Sequence, residues 1–309
     1  MSTAATPLPS PAKALLGDIK IAHSVFALPF ALLGGAMAAW PLEDSAPVTG
    51  TALGWAFGLI VAAMVSARTA AMLCNRLFDR HIDARNPRTA RRPLAAGAVP
   101  VRNYVVALTL ALIVFFACCV LFLTQLDNPL PLYLCGPVIL WICAYGLFKR
   151  FTWLCHLWLG ASLALSVPAA AVAVSGDAVA HMPALWLLAA MVLCWVSGFD
   201  VIYALQDVDT DLAEGLHSMP SKLGVRRAMW CSRFLHLAAV ALLFGAWSVD
   251  ARFGVAFLAA ACVAAALLLV EHLTVRRWGP TKIALTFFTL NGIVSCVIGA
   301  AGIWDVLNG

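Results

Sequence analysis

Apolar runs of about 20 residues recur along the chain, and this feature limits the possible fold more than any other. A helix of that length spans the hydrocarbon core of a bilayer. Of the 309 residues, 63% are hydrophobic and only 11% are charged, whereas soluble domains carry about 25% charged residues. A bilayer admits only helices or closed barrels, and these runs are too long for barrel strands. The sequence therefore predicts an all-α polytopic membrane protein.

Nine transmembrane helices are predicted within a single domain that covers residues 19–309. Residues 1–18 before it are rich in Pro, Ala and Ser and lack the basic start of a cleaved signal, so they are expected to form a disordered tail. Two long polar loops, 77–102 and 205–226, each follow an even-numbered helix and should lie on the same side of the membrane. The predicted helices occupy residues 19–40, 52–76, 103–124, 130–148, 154–174, 182–204, 227–249, 252–274 and 282–305.

The basic residues predict which side carries the two long loops. Of the 20 Lys and Arg residues, Arg68 lies inside helix 2 and Arg252 alone falls near the opposite face, so 18 (20 − 2) lie on or near the loop side. By the positive-inside rule, both loops and the N-terminus face the cytoplasm and the C-terminus lies outside, in the cell inner membrane. The net charge of +5 is explained by this topology, and no nucleic-acid partner is expected.

Acidic residues at helical spacing mark the start of both long loops. Asn75, Asp79 and Asp83 are four residues apart and would form a stripe on one helical face. Asp207 and Asp211 repeat this spacing, and each lies 128 residues after its counterpart, Asp79 or Asp83. Neighbouring carboxylates repel each other unless a cation lies between them. The pattern predicts that the four carboxylates converge on Mg²⁺, which typically binds one or two carboxylates plus substrate phosphates.

Basic side chains near these motifs suit the outer oxygens of a diphosphate. They are Arg88, Arg91 and Arg92 in the first long loop, and Lys149 and Arg150 in the next loop on that side. A diphosphate site beside an apolar membrane interior predicts a polyprenyl diphosphate, with its head at the Asp stripes and its chain between helices. Loss of diphosphate would leave an allylic carbocation, which an electron-rich acceptor captures.

Three segments of the chain resemble motifs of the UbiA superfamily of intramembrane prenyltransferases. NRLFDRHID followed by NPRTARRPLAAG resembles the first motif, and YALQDVDTDLAEGLHSMPSKLG resembles the second. YGLFKRFTWLCHLWLG is similar to the Tyr…Lys-Arg-x-Thr-Trp segment of the family. The order of the three is that of the family, and the 4-hydroxybenzoate polyprenyltransferase-like branch is the most similar. The resemblance implies a helical bundle around a central cavity, with the Asp motifs holding diphosphate through Mg²⁺ under a cytoplasmic cap formed by the two long loops.

The resemblance also implies roles for individual residues. It assigns Asp79, Asp83, Asp207 and Asp211 to the metal, and Asn75, Arg88, Arg92 and Lys149 to the diphosphate. Asp200 and Tyr203 match positions near the acceptor and the reacting carbon. Their spacing places them one to two turns deeper than Asp207 on a similar face. Asp200 is expected to orient the acceptor or take up its proton, and Tyr203 to stabilise the cation. The alternative is a buried pair that only holds helix 6 in place.

Three further residues, on helices 1 and 2, are candidates for the site. Arg68 lies two turns from Asn75 on the same face, about 10 Å deeper. An ionisable group at that depth usually faces a cavity or a partner. The family often has an Arg on helix 1, where this chain has Lys20 or His23.

The sequence thus predicts a Mg²⁺-dependent aromatic prenyltransferase of quinone biosynthesis. The expected donor is a polyprenyl diphosphate, and the expected acceptor is an aromatic acid, either of the 4-hydroxybenzoate type or the dihydroxynaphthoate of a menaquinone pathway. Two alternatives stay open. One is a transferase for haem or chlorophyll-type acceptors. The other is a proton-coupled secondary transporter in which Arg68 and Asp200 pair in a relay.

Overall fold

The structure is a computed structural model that describes residues 10–41, 46–279, 283 and 286–309, and their regular structure is entirely helical. Eight segments are long and apolar enough to cross a membrane, and a bent pair of helices at the start makes up to nine. The predicted all-α, nine-helix membrane fold is confirmed. The helices are α1 (Pro11–Ile19), α2 (Leu28–Ala39), α3 (Gly50–Arg85), α4 (Val101–Leu126), α5 (Leu130–Ala144), α6 (Cys155–Ala164), α7 (Ser166–Val174), α8 (Ala178–His181), α9 (Pro183–Tyr203), α10 (Val208–Ala213), α11 (Met219–Leu223), α12 (Val225–Val249), α13 (Val255–Trp278) and α14 (Asn291–Asn308).

The first span is broken rather than continuous. Helix α1 ends at Lys20, whose φ of 45° lies in the left-handed region. A short 3₁₀ segment over Ile21–Phe26 then leads into α2, and the two halves are bent by 45°. The prediction of a disordered tail over residues 1–18 is wrong for residues 11–18, because α1 is helical there and buries Leu15 and Asp18. Residues 1–9 lie outside the described part of the chain.

Helix α3 carries the whole first Asp motif. It has 36 residues and is therefore about 54 Å long, which exceeds the thickness of about 30 Å of a hydrocarbon core. The sequence placed residues 77–85 in a loop, and that boundary is wrong because the helix continues to Arg85. Asn75, Asp79 and Asp83 consequently lie on one unbroken helix with the predicted four-residue spacing.

The second Asp motif lies where a span ends and the chain folds over the bundle. Helix α9 gives way to a 3₁₀ turn over Ala204–Gln206, and Asp207 then precedes α10. The backbone N–H of Asp211 donates to the carbonyl of Asp207 at 2.7 Å, so the four-residue spacing again forms one helical turn. Helix α11 follows, capped by Ser218.

Helix α9 lies at the centre of the bundle and is tightly held by its neighbours. Trp195 and Phe199 are almost fully buried in the main core. A β-carbon at Gly160 of α6 would lie 2.2 Å from the Ser197 hydroxyl, so only glycine permits this close approach of α6 and α9. Because Asp200 and Tyr203 belong to α9, they are held on a rigid element.

Candidate active site

A cavity of about 480 Å³ opens inside the bundle. Of the candidate residues singled out in the sequence, all but Arg91 and Arg150 line it. Along α3 its lining runs from Ile60 to Asp83, a length of about 34 Å at 1.5 Å per residue. The end beside the Asp motifs is charged. The opposite end is apolar, with Phe115, Phe122 and Val138 among its walls. The cavity therefore suits a molecule with an anionic head and a long hydrophobic chain.

Asp79 of α3 is the most fully enclosed carboxylate of the first motif, at 2% exposure. Lys149 Nζ lies 3.1 Å from its Oδ2, and Arg150 Nη2 lies 3.2 Å from its Oδ1. The Asn75 side chain also donates to Oδ2 at 3.1 Å. The segment after α5 thus supplies two cations, Lys149 and Arg150, to this carboxylate.

Asp83 has a cation from the first long loop. Arg92 Nη1 donates to Asp83 Oδ2 at 2.7 Å. The Thr89 hydroxyl donates to the carbonyl of Asp83 at 3.0 Å, which folds the loop back onto the end of α3. Arg91 beside it is exposed and does not belong to the cavity lining. Arg92 therefore belongs to the cavity lining. Arg91 does not, and the positive-inside rule is enough to explain its charge.

Asp207 of the second motif is bound by the first long loop, not by its own. Arg88 donates to both carboxylate oxygens, at 2.9 Å from Nε and 2.5 Å from Nη2, and Asn86 adds a bond of 2.8 Å. Arg88 also donates to the Tyr203 hydroxyl at 2.9 Å. Burial by itself would raise the pKa of Asp207, but the bonds from Arg88 and Asn86 outweigh it and lower that pKa below its ordinary value.

Asp211 is the one carboxylate of the four that has no ion pair within the described residues. Its residue exposure is 7%. Burial raises the pKa of Asp211 above its ordinary value, although a hydrogen bond with Ser218 opposes the shift. A buried carboxylate in this condition is a natural oxygen ligand for a cation, because a nearby positive charge favours its ionised form.

The oxygen donors of the two motifs fit Mg²⁺ when substrate phosphates complete its coordination. In the part of the chain that is described, no three His, Cys, Asp or Glu side chains are arranged to hold a metal by themselves. Mg²⁺ does not require such a cage, since it commonly binds through one or two carboxylates, water and phosphate oxygens. The cavity lining brings together the four aspartates of the motifs with three cations that pair with them, Arg88, Arg92 and Lys149. This alternation of charge matches a diphosphate that carries its own Mg²⁺.

Asp200 lies deeper and has a partner that the sequence reasoning missed. His156 Nδ1 is 2.7 Å from Asp200 Oδ2. His156 is 3% exposed and belongs to α6, within the segment YGLFKRFTWLCHLWLG. A histidine three residues after Trp153 in an apolar helix was the available signal, but only the packing of α6 on α9 reveals its partner. Asn86 was missed for a similar reason, since it binds a residue of the other motif.

Arg68 contacts the broken first span instead of Asp200. Its two terminal nitrogens donate to the carbonyls of Ile19 and Lys20, at 2.7 and 2.8 Å. Both carbonyls lie where α1 ends, and that of Lys20 also accepts from the His23 N–H at 2.9 Å. Arg68 thus caps the end of α1 at the break. The predicted relay that pairs Arg68 with Asp200 is therefore wrong. The transporter alternative depended on that pair and is no longer supported by it.

Both helix 1 candidates face the cavity. Lys20 stands at the break itself, and His23 follows in the 3₁₀ segment. The His23 ring lies 5.5 Å from the ring of Phe26 and 5.2 Å from that of Phe288. Lys20 is thus placed with the charged end of the cavity, and His23 with an aromatic wall.

Fold and site together define a helical membrane protein in which two Asp motifs and a basic cap close one end of an apolar cavity. The chain belongs to the UbiA prenyltransferase family, whose model matches residues 27–293. A 4-hydroxybenzoate octaprenyltransferase from Coxiella burnetii is 30% identical over 236 residues, which cover 76% of this chain and 78% of that protein.

Solved structures share this architecture. The apo structure of a UbiA homolog from Aeropyrum pernix K1 superposes with a TM-score of 0.79 at 32% identity, over 93% of this chain and 98% of that one. A UbiA homolog from Archaeoglobus fulgidus bound to GPP and Mg²⁺ gives a TM-score of 0.69 at 17% identity, over 95% of this chain and 99% of that one. At that identity the second match shows a common fold.

Proposed function

We propose that this protein transfers a polyprenyl group from a polyprenyl diphosphate to a ring carbon of an aromatic acid in quinone biosynthesis. The observation that carries the proposal is one cavity that has a charged end built from both Asp motifs and an apolar opposite end, and that runs about 34 Å along α3 in total. A soluble aromatic acid and a membrane-borne donor could meet at the charged end. The Coxiella burnetii relative supports an acceptor of the 4-hydroxybenzoate type.

The residues of the charged end would divide the work between binding and release of diphosphate. Arg88, Arg92 and Lys149 lie close enough to the carboxylates to exchange them for diphosphate oxygens. Asp79, Asp83, Asp207 and Asp211 would hold Mg²⁺, and Asn75 would contact the diphosphate. When bound, the metal would neutralise negative charge that develops on the leaving diphosphate. The guanidinium groups add directed hydrogen bonds to the same oxygens.

Deeper in the cavity, α9 would present the groups that meet the reacting carbon. Tyr203 lies between the diphosphate end and Asp200, and its ring lies 5.2 Å from the Arg88 guanidinium carbon. An aromatic face there can stabilise a developing allylic cation. Asp200 would accept the proton that the acceptor ring loses after the new carbon–carbon bond forms.

The same model of function includes an orientation in the membrane. We infer that both long loops face the cytoplasm and that the C-terminus lies outside the inner membrane, from the distribution of Lys and Arg. Cysteine-accessibility labelling at residue 91 and at residue 309 of intact and opened cells would test this. Labelling of both positions from the same side would contradict an odd number of spans.

The proposal is tested by incubating purified protein with labelled prenyl diphosphates and a panel of aromatic acids. The panel contains 4-hydroxybenzoate, dihydroxynaphthoate and a haem-type acceptor. Prenylation of an aromatic acid that EDTA abolishes and Mg²⁺ restores is the expected result. Asp79→Ala and Asp207→Ala should each remove nearly all turnover. Wild-type turnover in either variant would refute the assignment of these aspartates to the metal. Labelling of the haem-type acceptor alone would show that the acceptor is not an aromatic acid.

A further inference from the structure

The imidazole of His156 joins three elements around the deep end of the site. It projects from α6, its Nδ1 lies 2.7 Å from Asp200 Oδ2 on α9, and its Nε2 lies 3.1 Å from the backbone nitrogen of Met219 on α11. His156 is 3% exposed. The histidine is therefore held from both sides of its ring in a place that water reaches poorly.

The backbone contact fixes the tautomer of this histidine. A peptide N–H can only donate, so the Met219 N–H requires a lone pair on His156 Nε2. A neutral imidazole has one N–H, which must then lie on Nδ1 and donate to Asp200. An imidazolium would carry an N–H on Nε2 as well, and this donor would face the Met219 N–H donor. The geometry therefore disfavours the protonated histidine. The arrangement pairs a neutral histidine with an accepting carboxylate oxygen.

This pairing engages only one of the two carboxylate oxygens of Asp200. His156 binds Oδ2 of Asp200, while the Asp200 side chain lines the cavity. The backbone of His156 is also tied to α9, since the Ser197 hydroxyl donates to the His156 carbonyl at 3.1 Å. Gly160, one turn further along α6, allows the close approach of α6 to α9.

We propose that His156 is a positioning residue that holds Asp200 as the proton acceptor of the prenyl transfer and ties it to the loop that closes the site. The inference rests on the proposed function. In the transfer, the bond from the prenyl carbon to diphosphate oxygen breaks and its electron pair leaves with the diphosphate. A ring carbon of the acceptor forms the new bond to the prenyl carbon. The proton of that ring carbon then passes to Asp200 Oδ1.

The two ring nitrogens can be tested separately with two amides. Asparagine at position 156 places its NH₂ near the position of Nδ1 and keeps the donor to Asp200. Glutamine places its amide near Nε2 and keeps only the contact with Met219. His156→Asn is expected to retain turnover within about threefold, whereas His156→Gln and His156→Ala lose about tenfold to hundredfold, a part of what a general base contributes. Donor KM should stay unchanged in all three.

A double-variant cycle separates positioning from a structural role. If His156 acts through Asp200, the turnover of Asp200→Asn combined with His156→Gln should equal that of Asp200→Asn alone. His181→Asn, an exposed histidine on α8, is the matched control. Multiplicative losses in the double variant, or equal turnover of the Asn and Gln variants at normal melting temperature, would overturn the proposal. Absence of transfer by the wild-type protein with every acceptor would instead count against the proposed function.

Discussion

Arg88 binds both carboxylate oxygens of Asp207 across 119 residues of sequence, so the first long loop supplies the cation for the second Asp motif. A two-point guanidinium–carboxylate contact fixes direction as well as distance. The same side chain reaches Tyr203. Arg88 thus occupies the oxygens of Asp207 that would bind Mg²⁺. When the donor binds, Arg88 must leave Asp207 for the diphosphate, and Mg²⁺ must take its place on Asp207.

This competition predicts opposite effects of Arg88→Ala on metal and donor. Without Arg88, Asp207 is free to bind Mg²⁺, so the apparent Mg²⁺ affinity of the donor-free protein should rise. The donor loses a cation, and its KM should increase by about tenfold, as expected for one charge-assisted hydrogen bond. Isothermal titration with Mg²⁺ and steady-state kinetics measure the two quantities. Arg85→Ala is the control, because Arg85 binds Glu214 at the exposed edge of the same loops. Parallel changes of both affinities would contradict the exchange.

A second prediction concerns the buried carboxylate that has no ion pair. Replacing Asp211 with Asn removes a charge whose burial raises its pKa, and the amide can still hydrogen-bond. The melting temperature of the metal-free protein in detergent should therefore rise by a few degrees. The stabilisation that Mg²⁺ and diphosphate confer on the wild type should shrink, and turnover should fall. Differential scanning fluorimetry with and without Mg²⁺ provides the measurement, and a lower metal-free melting temperature would refute the reasoning.

The ion pair of Asp207 has a definite pH signature. Its pKa is lowered in the folded protein, so the Arg88 contact stabilises the fold fully above the ordinary Asp value of about 3.9. That contribution is lost as pH falls below this value and through the lowered folded pKa. The melting-temperature gap between wild type and Arg88→Gln should thus be constant from pH 7 to pH 5 and close towards pH 3. A gap that closes near pH 6 would implicate another group.

Gly146 supports Asn75 through lack of a side chain. A β-carbon at this position would lie 2.6 Å from the Asn75 amide nitrogen, which donates to Asp79. Gly146→Ala should therefore displace Asn75 and reduce turnover about as much as Asn75→Ala does. Gly136→Ala is a matched control in α5, since nothing lies within 4 Å of its added carbon. Prenyl-transfer assays at equal protein content make the comparison, and full activity in Gly146→Ala would show that Asn75 is dispensable or free to move.

The length of the cavity predicts discrimination between donors. Ala63 lines the cavity 16 residues before Asp79, or about 24 Å away along α3. Ala63→Phe should block the far part of the cavity, so turnover with a long polyprenyl donor falls while turnover with geranyl diphosphate remains. Val61→Phe serves as control, because Val61 is exposed and does not line the cavity. Equal loss with both donors would mean that the chain takes another path.

Spacing predicted much of the site because it survives folding within a single helix. Asn75, Asp79 and Asp83 form a stripe wherever α3 ends, so the error at residue 77 did not affect them. The contacts between helices were not predictable in this way. His156 finds Asp200, and Asn86 finds Asp207, through packing that brings together residues 44 and 121 positions apart. Arg68 is a different case. The sequence identified it as an intramembrane charge, but its partners are backbone carbonyls at a helix break, which residue spacing does not predict.

The contacts between the two long loops can form only late in translation. Arg88 and Arg85 bind Asp207 and Glu214, which lie 119 and 129 residues later in the chain. A growing polypeptide emerges from its N-terminus, and four membrane spans separate the two loops. The two arginines therefore cannot pair with these acids until the ribosome has translated the acidic segment. A nascent chain arrested before residue 207 can assemble α3 with its neighbours, but it can close neither of these links.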